Sequence, residues 1–290
     1  MTDPQSHKGE VQRGDRFQFG ENWRKFLSVL DENRIQIAVD SLKTMLEVEN
    51  LTGKSFVDIG SGSGLFSLAA RRLGAKVHSF DYDPKSVACT LELKRRYFDQ
   101  DDAWTVEDGS VLDDAFMESL GKFDIVYSWG VLHHTGEMWK ALANVEKKVA
   151  PGGKLFIALY NDQGGASRRW LRVKEIYNKL PTVLRTPYAI IVYLPFETKA
   201  LLAQLSHGRP MAYFRNIAQY QVKRGMNWWY DKIDWIGGLP FEVSKPEQIF
   251  SFYRKHGFRL LALQTCAGGL GCNQYVFQRD ENSLYPELSA

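Results

Sequence analysis

Three glycines at alternate positions, Gly60, Gly62 and Gly64, follow an apolar segment over residues 56–59. Because glycine has no Cβ, this spacing lets the backbone turn sharply and come close to a ligand, as loops that bind nucleotide-type cofactors do. A dinucleotide-binding loop has its third glycine three residues after the second, where this chain has Leu65. The spacing therefore predicts a nucleotide-type cofactor other than NAD.

A carboxylate is expected beside this loop. Residues 76–80 are predicted to form a strand, and Asp81 follows it, about 20 residues after the first glycine. An acidic side chain at the tip of a neighbouring strand can accept hydrogen bonds from both hydroxyls of a ribose. We assign this role to Asp81 rather than Asp83, because Asp83 and the proline after it are a typical N-cap and first residue of a helix, here over 84–97.

The elements that position these residues alternate between strands and helices. A helix follows Gly64, a buried strand is expected over 123–128, and a Pro-Gly-Gly turn leads into another strand that ends at Tyr160. The glycine loop, the Leu-His-His that follows the 123–128 strand and the Pro-Gly-Gly turn together resemble the class I S-adenosylmethionine-dependent methyltransferases. The resemblance covers residues 50–160 and resumes near 245. Within the class, the small-molecule O-methyltransferases of the ubiquinone-pathway type look most similar.

The resemblance implies a Rossmann-like α/β fold. Its seven-stranded sheet would be mostly parallel with an antiparallel last strand, helices would cover both faces, and S-adenosylmethionine would be the cofactor. We expect residues 1–49 to form a disordered arm and a helical cap, and residues 50–160 the cofactor-binding half. Residues 161–244 exceed what the sheet needs, so we expect a helical lid over the substrate after the fifth strand. Residues 245–290 then supply the C-terminal helix and the last two strands.

The predicted cofactor-binding residues follow from the loop and from the matching strand ends. They are Asp58, Gly60, Ser61, Gly62, Gly64, Asp81, Tyr82, Gly109, Ser110 and Ser128. Tyr82 is expected to lie against the adenine or to cover the loop. The family often has Gly-Asp-Ala after the third strand, whereas this chain has Ser110 at the acidic position. The adenine contact is therefore expected from Ser110, from backbone or from Asp108.

The acceptor side offers candidates for a general base and for a binding pocket. The candidate catalytic residues are His133, His134 and Asp231. A positioned base would accelerate transfer to an oxygen acceptor, although a histidine here can also simply pack or hydrogen-bond the loop. The predicted substrate-binding residues are Trp23, Tyr160, Asn161, Trp229 and Tyr230.

Composition excludes several other classes. The net charge is +3, no apolar run approaches the length of a membrane span, and the first residues lack the apolar stretch of a signal peptide. The three cysteines lack metal-ligand spacing, so we expect no metal site, and reduced thiols favour a cytoplasmic location.

Residues 161–244 have twice as many basic as acidic residues and are rich in aromatics. Such a segment can bind an acidic or aromatic small molecule, contact an anionic membrane peripherally or stack RNA bases, or its aromatics can form its own core. A nucleic-acid partner is disfavoured because no extended basic run is present.

We therefore expect methylation of a small aromatic, acidic or hydrophobic acceptor, most of all at oxygen. N- or S-methylation and tRNA modification are the alternatives within the enzyme class. A catalytically inactive, cofactor-binding regulatory protein is the alternative outside it. No motif identifies the acceptor or the oligomeric state.

Overall fold

The structure is a computed structural model that describes residues 4–220 and 228–281. Seven strands form one sheet in the order β3-β2-β1-β4-β5-β7-β6. The strands are β1 Ser55–Ile59, β2 Lys76–Asp81, β3 Trp104–Asp108, β4 Phe123–Trp129, β5 Val149–Tyr160, β6 Phe258–Gln264 and β7 Cys272–Arg279. Strand β7 runs antiparallel to β5 and β6, and the other pairs are parallel. The predicted Rossmann-like sheet, with its antiparallel last strand, is confirmed.

Twelve helices of at least six residues lie in the described ranges. They are α1 Pro4–Arg13, α2 Gly20–Leu27, α3 Glu32–Leu46, α4 Leu65–Arg72, α5 Pro84–Tyr97, α6 Asp114–Ser119, α7 Met138–Glu146, α8 Gly165–Lys179, α9 Thr182–Ser206, α10 Pro210–Ala218, α11 Trp228–Gly237 and α12 Pro246–Lys255. Asp31, Asp83 and Asp113 each accept a backbone N–H at the start of α3, α5 and α6, which fixes where these helices begin.

Two apolar cores cover the two faces of the sheet. On one face, α3, α4 and α5 bury residues such as Leu42 and Leu68 against Phe56 of β1. On the other face, α7 and α12 bury Leu142 and Ile249 against the sheet. Because the central parallel strands are covered on both sides, their sequences are nearly continuous apolar runs. The glycine loop therefore begins at the end of a strand, β1, that both cores hold rigidly in place.

Two local expectations are corrected. Part of the disordered arm expected within residues 1–49 is ordered, since residues 4–13 form α1, which lies against Tyr82 through His7. We expected Pro-Gly-Gly to be a turn before the fifth strand, but these residues belong to β5. Gly152 has a φ of 71°, and the pairing of β5 with β4 shifts register between Phe123 and Ile125, so the extra length is taken up as a bulge.

Residues 161–244 are here called the insertion. The chain leaves the sheet at its start and returns to the same place at its end. Helices α8 to α11 lie within the insertion, and α8, α9 and α11 share a small core of Tyr177, Ala189, Tyr193 and Ile236. At its two ends, Asn161 and Ser244 pair as neighbouring strand residues, and the Ser244 N–H donates to the Tyr160 carbonyl at 3.0 Å. No helix in the described residues is both long and apolar enough to cross a membrane.

Candidate functional site

The glycine loop connects β1 to α4 in a conformation that favours glycine. Gly60, Gly62 and Gly64 have φ values of 78°, 55° and 79°. The N–H groups of Gly60 and Ser61 donate to the Phe80 carbonyl at 2.9 and 3.1 Å, which ties the loop to β2. A Cβ on Gly60 would lie 2.4 Å from the Val131 side chain, so the loop is also close to the segment after β4.

Asp81 lies at the tip of β2 against this loop, as predicted. Its two carboxylate oxygens accept the N–H groups of Gly62 and Asp83, both at 2.9 Å. Desolvation raises the pKa of Asp81 to about 6, so the group is ionised above that pH. Each carboxylate oxygen keeps a further lone pair, and two hydroxyl groups of a ribose fit this acceptor pair. The residues present therefore fit an adenosine-type cofactor.

Asp58 is buried one step behind the loop. It accepts the Ser67 hydroxyl at 2.5 Å, Ser67 accepts from Ser79 at 2.7 Å, and Ser79 accepts the Trp104 indole N–H at 2.9 Å. Burial raises the pKa of Asp58 to about 7. Through this chain of hydrogen bonds Asp58 fixes the start of α4 relative to three strands.

Gly109, Ser110 and Ser128, three of the predicted cofactor-binding residues, make hydrogen bonds within the protein. The Ser128 hydroxyl donates to the Ile59 carbonyl at 2.9 Å, and the Ser110 hydroxyl accepts the Leu112 N–H at 3.2 Å. Gly109 donates its N–H to the Asp81 carbonyl at 3.1 Å, and a Cβ there would lie 2.3 Å from Phe116. These contacts join strands and close a turn, and the hydroxyls of Ser110 and Ser128 both already have protein partners.

The N-terminal segment covers the loop, and Trp23, which we predict as a substrate-binding residue, lies on the glycines. A Cβ on Gly62 would lie 3.1 Å from the Trp23 indole, so the ring lies directly on the loop. The Gly20 N–H donates to the Asp83 carboxylate at 2.9 Å. Tyr82 lies edge-on to the His7 ring, at 5.2 Å between centroids, and the Arg16 guanidinium lies 5.0 Å from the Tyr82 ring centroid. Tyr82 is therefore covered by the N-terminal segment.

The two predicted histidines are buried side by side after β4. The Tyr160 N–H donates to His133 Nδ1 at 3.3 Å, which places the proton of the neutral ring on Nε2. Nε2 of His133 is buried without a hydrogen-bond partner among the described residues. His134 Nδ1 donates to the Pro240 carbonyl at 2.6 Å. Burial lowers the pKa of His133 well below its usual value and that of His134 to about 3, so both rings are neutral at physiological pH.

A buried lysine lies beside these histidines and was missed from the sequence. The Lys174 ammonium donates to the Trp235 carbonyl and lies 4.7 and 4.8 Å from the ring centroids of Trp235 and Phe241. Both rings lie against Tyr160, at 5.3 and 5.4 Å, and Tyr160 lies 3.9 Å from the His133 ring. Burial lowers the pKa of Lys174 to about 7.

We call these five residues, His133, Tyr160, Lys174, Trp235 and Phe241, the acceptor cluster. Sequence reasoning identified His133 and Tyr160 by their place after β4 and β5. The signal for Lys174 was a single charge at helical spacing between Trp170 and Tyr177, on the apolar side of α8.

The other residues predicted on the acceptor side make their described contacts outside this cluster. Asp231 accepts the Tyr220 hydroxyl, and Trp229 packs against the core of the insertion. Asn161 accepts the Asn273 side-chain amide at 3.0 Å and donates its N–H to the Gly271 carbonyl, so it joins β5 to the chain before β7. The side chain of Tyr230 lies outside the described part of the structure. Some of the aromatic side chains of the insertion thus form its own core.

The sheet order, the left-handed glycine loop and the carboxylate at the tip of β2 define a class I S-adenosylmethionine-dependent methyltransferase. The chain belongs to the methyltransferase-domain family, whose sequence profile matches residues 30–264.

Curated relatives are similar over part of their length. A ubiquinone biosynthesis O-methyltransferase of Xanthomonas oryzae pv. oryzae is 29% identical over 112 residues, which is 39% of this chain and 45% of the relative. A tRNA U34 carboxymethyltransferase of Campylobacter curvus is 30% identical over 139 residues, which is 48% of this chain and 45% of the relative. The chain thus spans less than half the length of these relatives.

A solved structure shares the fold over most of both chains. Magnesium protoporphyrin IX methyltransferase from Synechocystis PCC 6803, with bound SAH, superimposes with a TM-score of 0.51 at 15% identity, over 90% of this chain and 94% of the other.

Proposed function

We propose that this chain transfers a methyl group from S-adenosylmethionine to an oxygen atom of a small acidic or aromatic acceptor. The observation that carries the proposal is the buried Lys174 ammonium, which lies beside two aromatic rings and next to the His133–Tyr160 pair. An anionic or phenolic group matches an ammonium, and aromatic walls match a ring. When bound, S-adenosylmethionine supplies a methyl group on a positively charged sulfur.

Lys174 has the donors to hold an acidic group. Its ammonium carries three N–H donors, and the Trp235 carbonyl is its one hydrogen-bond acceptor among the described residues. Burial lowers the pKa of Lys174 to about 7, and the charge of the Asp234 carboxylate opposes that shift only in part. An acceptor carboxylate or phenolate beside Nζ would accept the remaining donors and stabilise the charged form.

Lys174 also suits the transfer of a proton better than the predicted histidines. The effective general base at neutral pH has a pKa near 7. The pKa of His134 is about 3, and the Nδ1 lone pair of His133 accepts the Tyr160 N–H. For a phenol, neutral Lys174 takes the proton at Nζ, and the ammonium then holds the phenolate. His133 contributes its Nε2–H as a hydrogen-bond donor that orients the acceptor oxygen.

The names of the relatives bear on both the proposal and its alternative. The ubiquinone-pathway relatives are named as O-methyltransferases, which agrees with an oxygen acceptor. The relatives named for tRNA U34 modification keep nucleic acid as an alternative acceptor. A third possibility is a protein that binds the cofactor and transfers nothing.

A transfer screen with a methyl-labelled cofactor separates these possibilities. The acceptors are phenols, quinols, carboxylic acids, thiols, amines and bulk tRNA, each tested with wild type and Lys174→Met. We expect label on a phenol, quinol or carboxylic acid, with a lysine-dependent rate. Label on tRNA, or only on thiols and amines, would contradict the proposal. Calorimetric binding of the cofactor without transfer to any acceptor would point to the regulatory alternative.

A further inference from the structure

One side of α9 is apolar and exposed. Helix α9 packs on the core of the insertion through Ala189 and Tyr193, which are buried. Its outer side presents Ile191, Leu194 and Leu202 with exposures of 68%, 59% and 57%. These positions are three and eight residues apart, so they lie in one stripe along the helix.

The stripe continues onto α10. Met211 and Phe214 are 66% and 54% exposed, and α10 packs against α9. Together, the two helices hold more than half of the large hydrophobic side chains that are exposed in the described residues. Scattered exposed apolar residues need no explanation, but their concentration on two helices that pack together indicates an interaction site.

The charges around the stripe are positive. Lys199, Arg209 and Arg215 are exposed beside it. The one acidic residue between positions 181 and 220 is Glu197, which pairs with Lys232 at 2.6 Å and accepts the Tyr213 hydroxyl at 2.8 Å. The surface of the α9–α10 hairpin therefore combines aliphatic side chains with cations, and its one carboxylate is engaged within the protein.

We propose that the α9–α10 hairpin binds to the surface of a bilayer that contains anionic lipids. Aliphatic side chains would enter the boundary between headgroups and acyl chains, and the flanking cations would lie among anionic headgroups. Because no described helix can cross a membrane, the hairpin lies in the plane of the surface.

Two other partners fit the charges and side chains less well. A second copy of the chain would bring the same cations toward one another across a symmetric interface. RNA binding relies on bases stacked on aromatic side chains, whereas Phe214 is the one aromatic among the five stripe residues named above, and the others are Ile191, Leu194, Leu202 and Met211. An anionic bilayer is complementary to both components of the surface.

Vesicle co-sedimentation with the full chain tests the proposal without any acceptor, so its outcome is independent of the proposed function. The vesicles are equimolar phosphatidylglycerol and phosphatidylcholine, or phosphatidylcholine alone. Wild type should bind the anionic vesicles and bind the neutral ones much more weakly. The double variant Ile191→Glu/Leu194→Glu should lose at least about tenfold in binding to the anionic vesicles. Arg209→Glu and Arg215→Glu should each cost about fivefold or more, and this loss should shrink as salt rises.

The matched control is the double variant Ile37→Glu/Leu91→Glu. These side chains are 59% and 47% exposed on α3 and α5, outside the insertion, and this variant should bind vesicles like wild type. Circular dichroism and melting temperature check folding, and the two arginine variants carry the test if the apolar positions do not tolerate glutamate.

Three results would overturn the proposal. The first is no binding of wild type to anionic vesicles, or an equal loss in the control variant. The second is a dimer in sedimentation velocity that Ile191→Glu/Leu194→Glu dissociates while vesicles do not bind. The third is a gel shift with bulk tRNA that Arg209→Glu or Arg215→Glu abolishes, again without vesicle binding.

Discussion

At the scale of single residues, a substitution of Lys174 can distinguish a functional role of this side chain from a structural one. Replacing it with Met removes the charge and keeps the length of the side chain. We expect kcat/KM for an acidic acceptor to fall about 100-fold, because a preorganised cation beside the reacting group is lost. Lys179→Met, on the same helix but exposed, is the control and should change little. Steady-state kinetics measures both.

The pH dependence gives the same test a second readout. The pKa of Lys174 is about 7, so the ammonium is present below pH 7 and lost above it. For a carboxylate acceptor, kcat/KM should fall as pH rises through about 7, and Lys174→Met should lose that limb. An unchanged pH profile in the variant would argue for a purely structural lysine.

Stability should move in the opposite direction to activity. The folded pKa of Lys174 lies below its ordinary value of 10.5, so the unfolded chain binds more protons between about pH 7 and 10.5, and this lysine makes the fold more stable as pH rises through that window. Below pH 7 the buried charge opposes folding. Lys174→Met should therefore melt at the same or a higher temperature than wild type at pH 6. A clear drop in melting temperature would show that the lysine stabilises the insertion.

Asp81 is expected to carry much of the affinity for the cofactor. Asp81→Asn leaves a neutral side chain at the same position and weakens the hydrogen bonds to two ribose hydroxyls. Affinity for S-adenosylmethionine should fall about 100-fold by calorimetry, since hydrogen bonds to charged groups contribute about 1.5–3 kcal/mol each. Asp102→Asn changes an exposed carboxylate in the turn before β3 and is the control. Affinity like wild type in Asp81→Asn would remove Asp81 from the ribose site.

Alanine substitutions at Gly60 and Gly53 distinguish the cost of a left-handed backbone from the cost of close packing. Both have positive φ, 78° and 76°, but a Cβ on Gly60 would lie 2.4 Å from Val131, whereas one on Gly53 would meet nothing within 4 Å. Gly53→Ala should cost about 1–2 kcal/mol of unfolding free energy through its left-handed backbone alone. Gly60→Ala should cost about 1–3 kcal/mol more, because Val131 must move. Equal losses in denaturant titrations would contradict the proposed crowding.

The site residues that could be predicted from the sequence are those that belong to a short local pattern. The glycine spacing and Asp81 are set by the turn from β1 and by the tip of β2, so their places followed from neighbours in sequence. Lys174 did not follow in this way. Its surroundings, Trp235 and Phe241, lie more than 60 positions away along the chain, and only packing of the insertion brings them together.

At the scale of elements, the N-terminal segment covers the glycine loop. Trp23 of α2 lies on Gly62, and Gly20 donates to Asp83. Trp23→Ala should therefore open the loop and speed cofactor dissociation about tenfold, because a large apolar contact is lost. Stopped-flow fluorescence measures the rate, and Trp139→Ala, an exposed tryptophan on α7, is the control. An unchanged dissociation rate would show that α2 only packs on the apoprotein.

The strands and helices of the core were predictable because each has an apolar period and end signals. Asp83 begins α5, and the glycine loop begins α4, within one residue of expectation. Helix α1 was not predictable from its polar composition. Its stability depends on contacts far along the chain, such as the edge contact of His7 with Tyr82, and local patterns do not report those.

At the scale of the whole molecule, two sets of buried groups make the folding stability change with pH in opposite directions. Burial raises the pKa of Asp58 and Glu146 to about 7, so their contribution to stability is full below about pH 4 and is lost as pH rises through about 7. His133 and His134 have lowered pKa values, so they cost stability as pH falls below 6.5.

The melting temperature without cofactor should accordingly change little between about pH 4.5 and 6.5, because the opposing contributions overlap there. Asp58→Asn should tilt the profile so that the melting temperature falls on acidification, and His134→Asn should tilt it the other way. Differential scanning calorimetry at several pH values measures both. Parallel profiles for all three proteins would show that these groups do not differ between the folded and unfolded states.

The pairing of Asn161 with Ser244 has an evolutionary consequence. Since the chain leaves β5 and returns beside the same strand, more than 80 residues form a closed excursion whose two ends are neighbours. The cofactor half needs only that short distance to be bridged. Insertions, deletions or replacements within this excursion can therefore accumulate without displacing the strands that hold the glycine loop and Asp81.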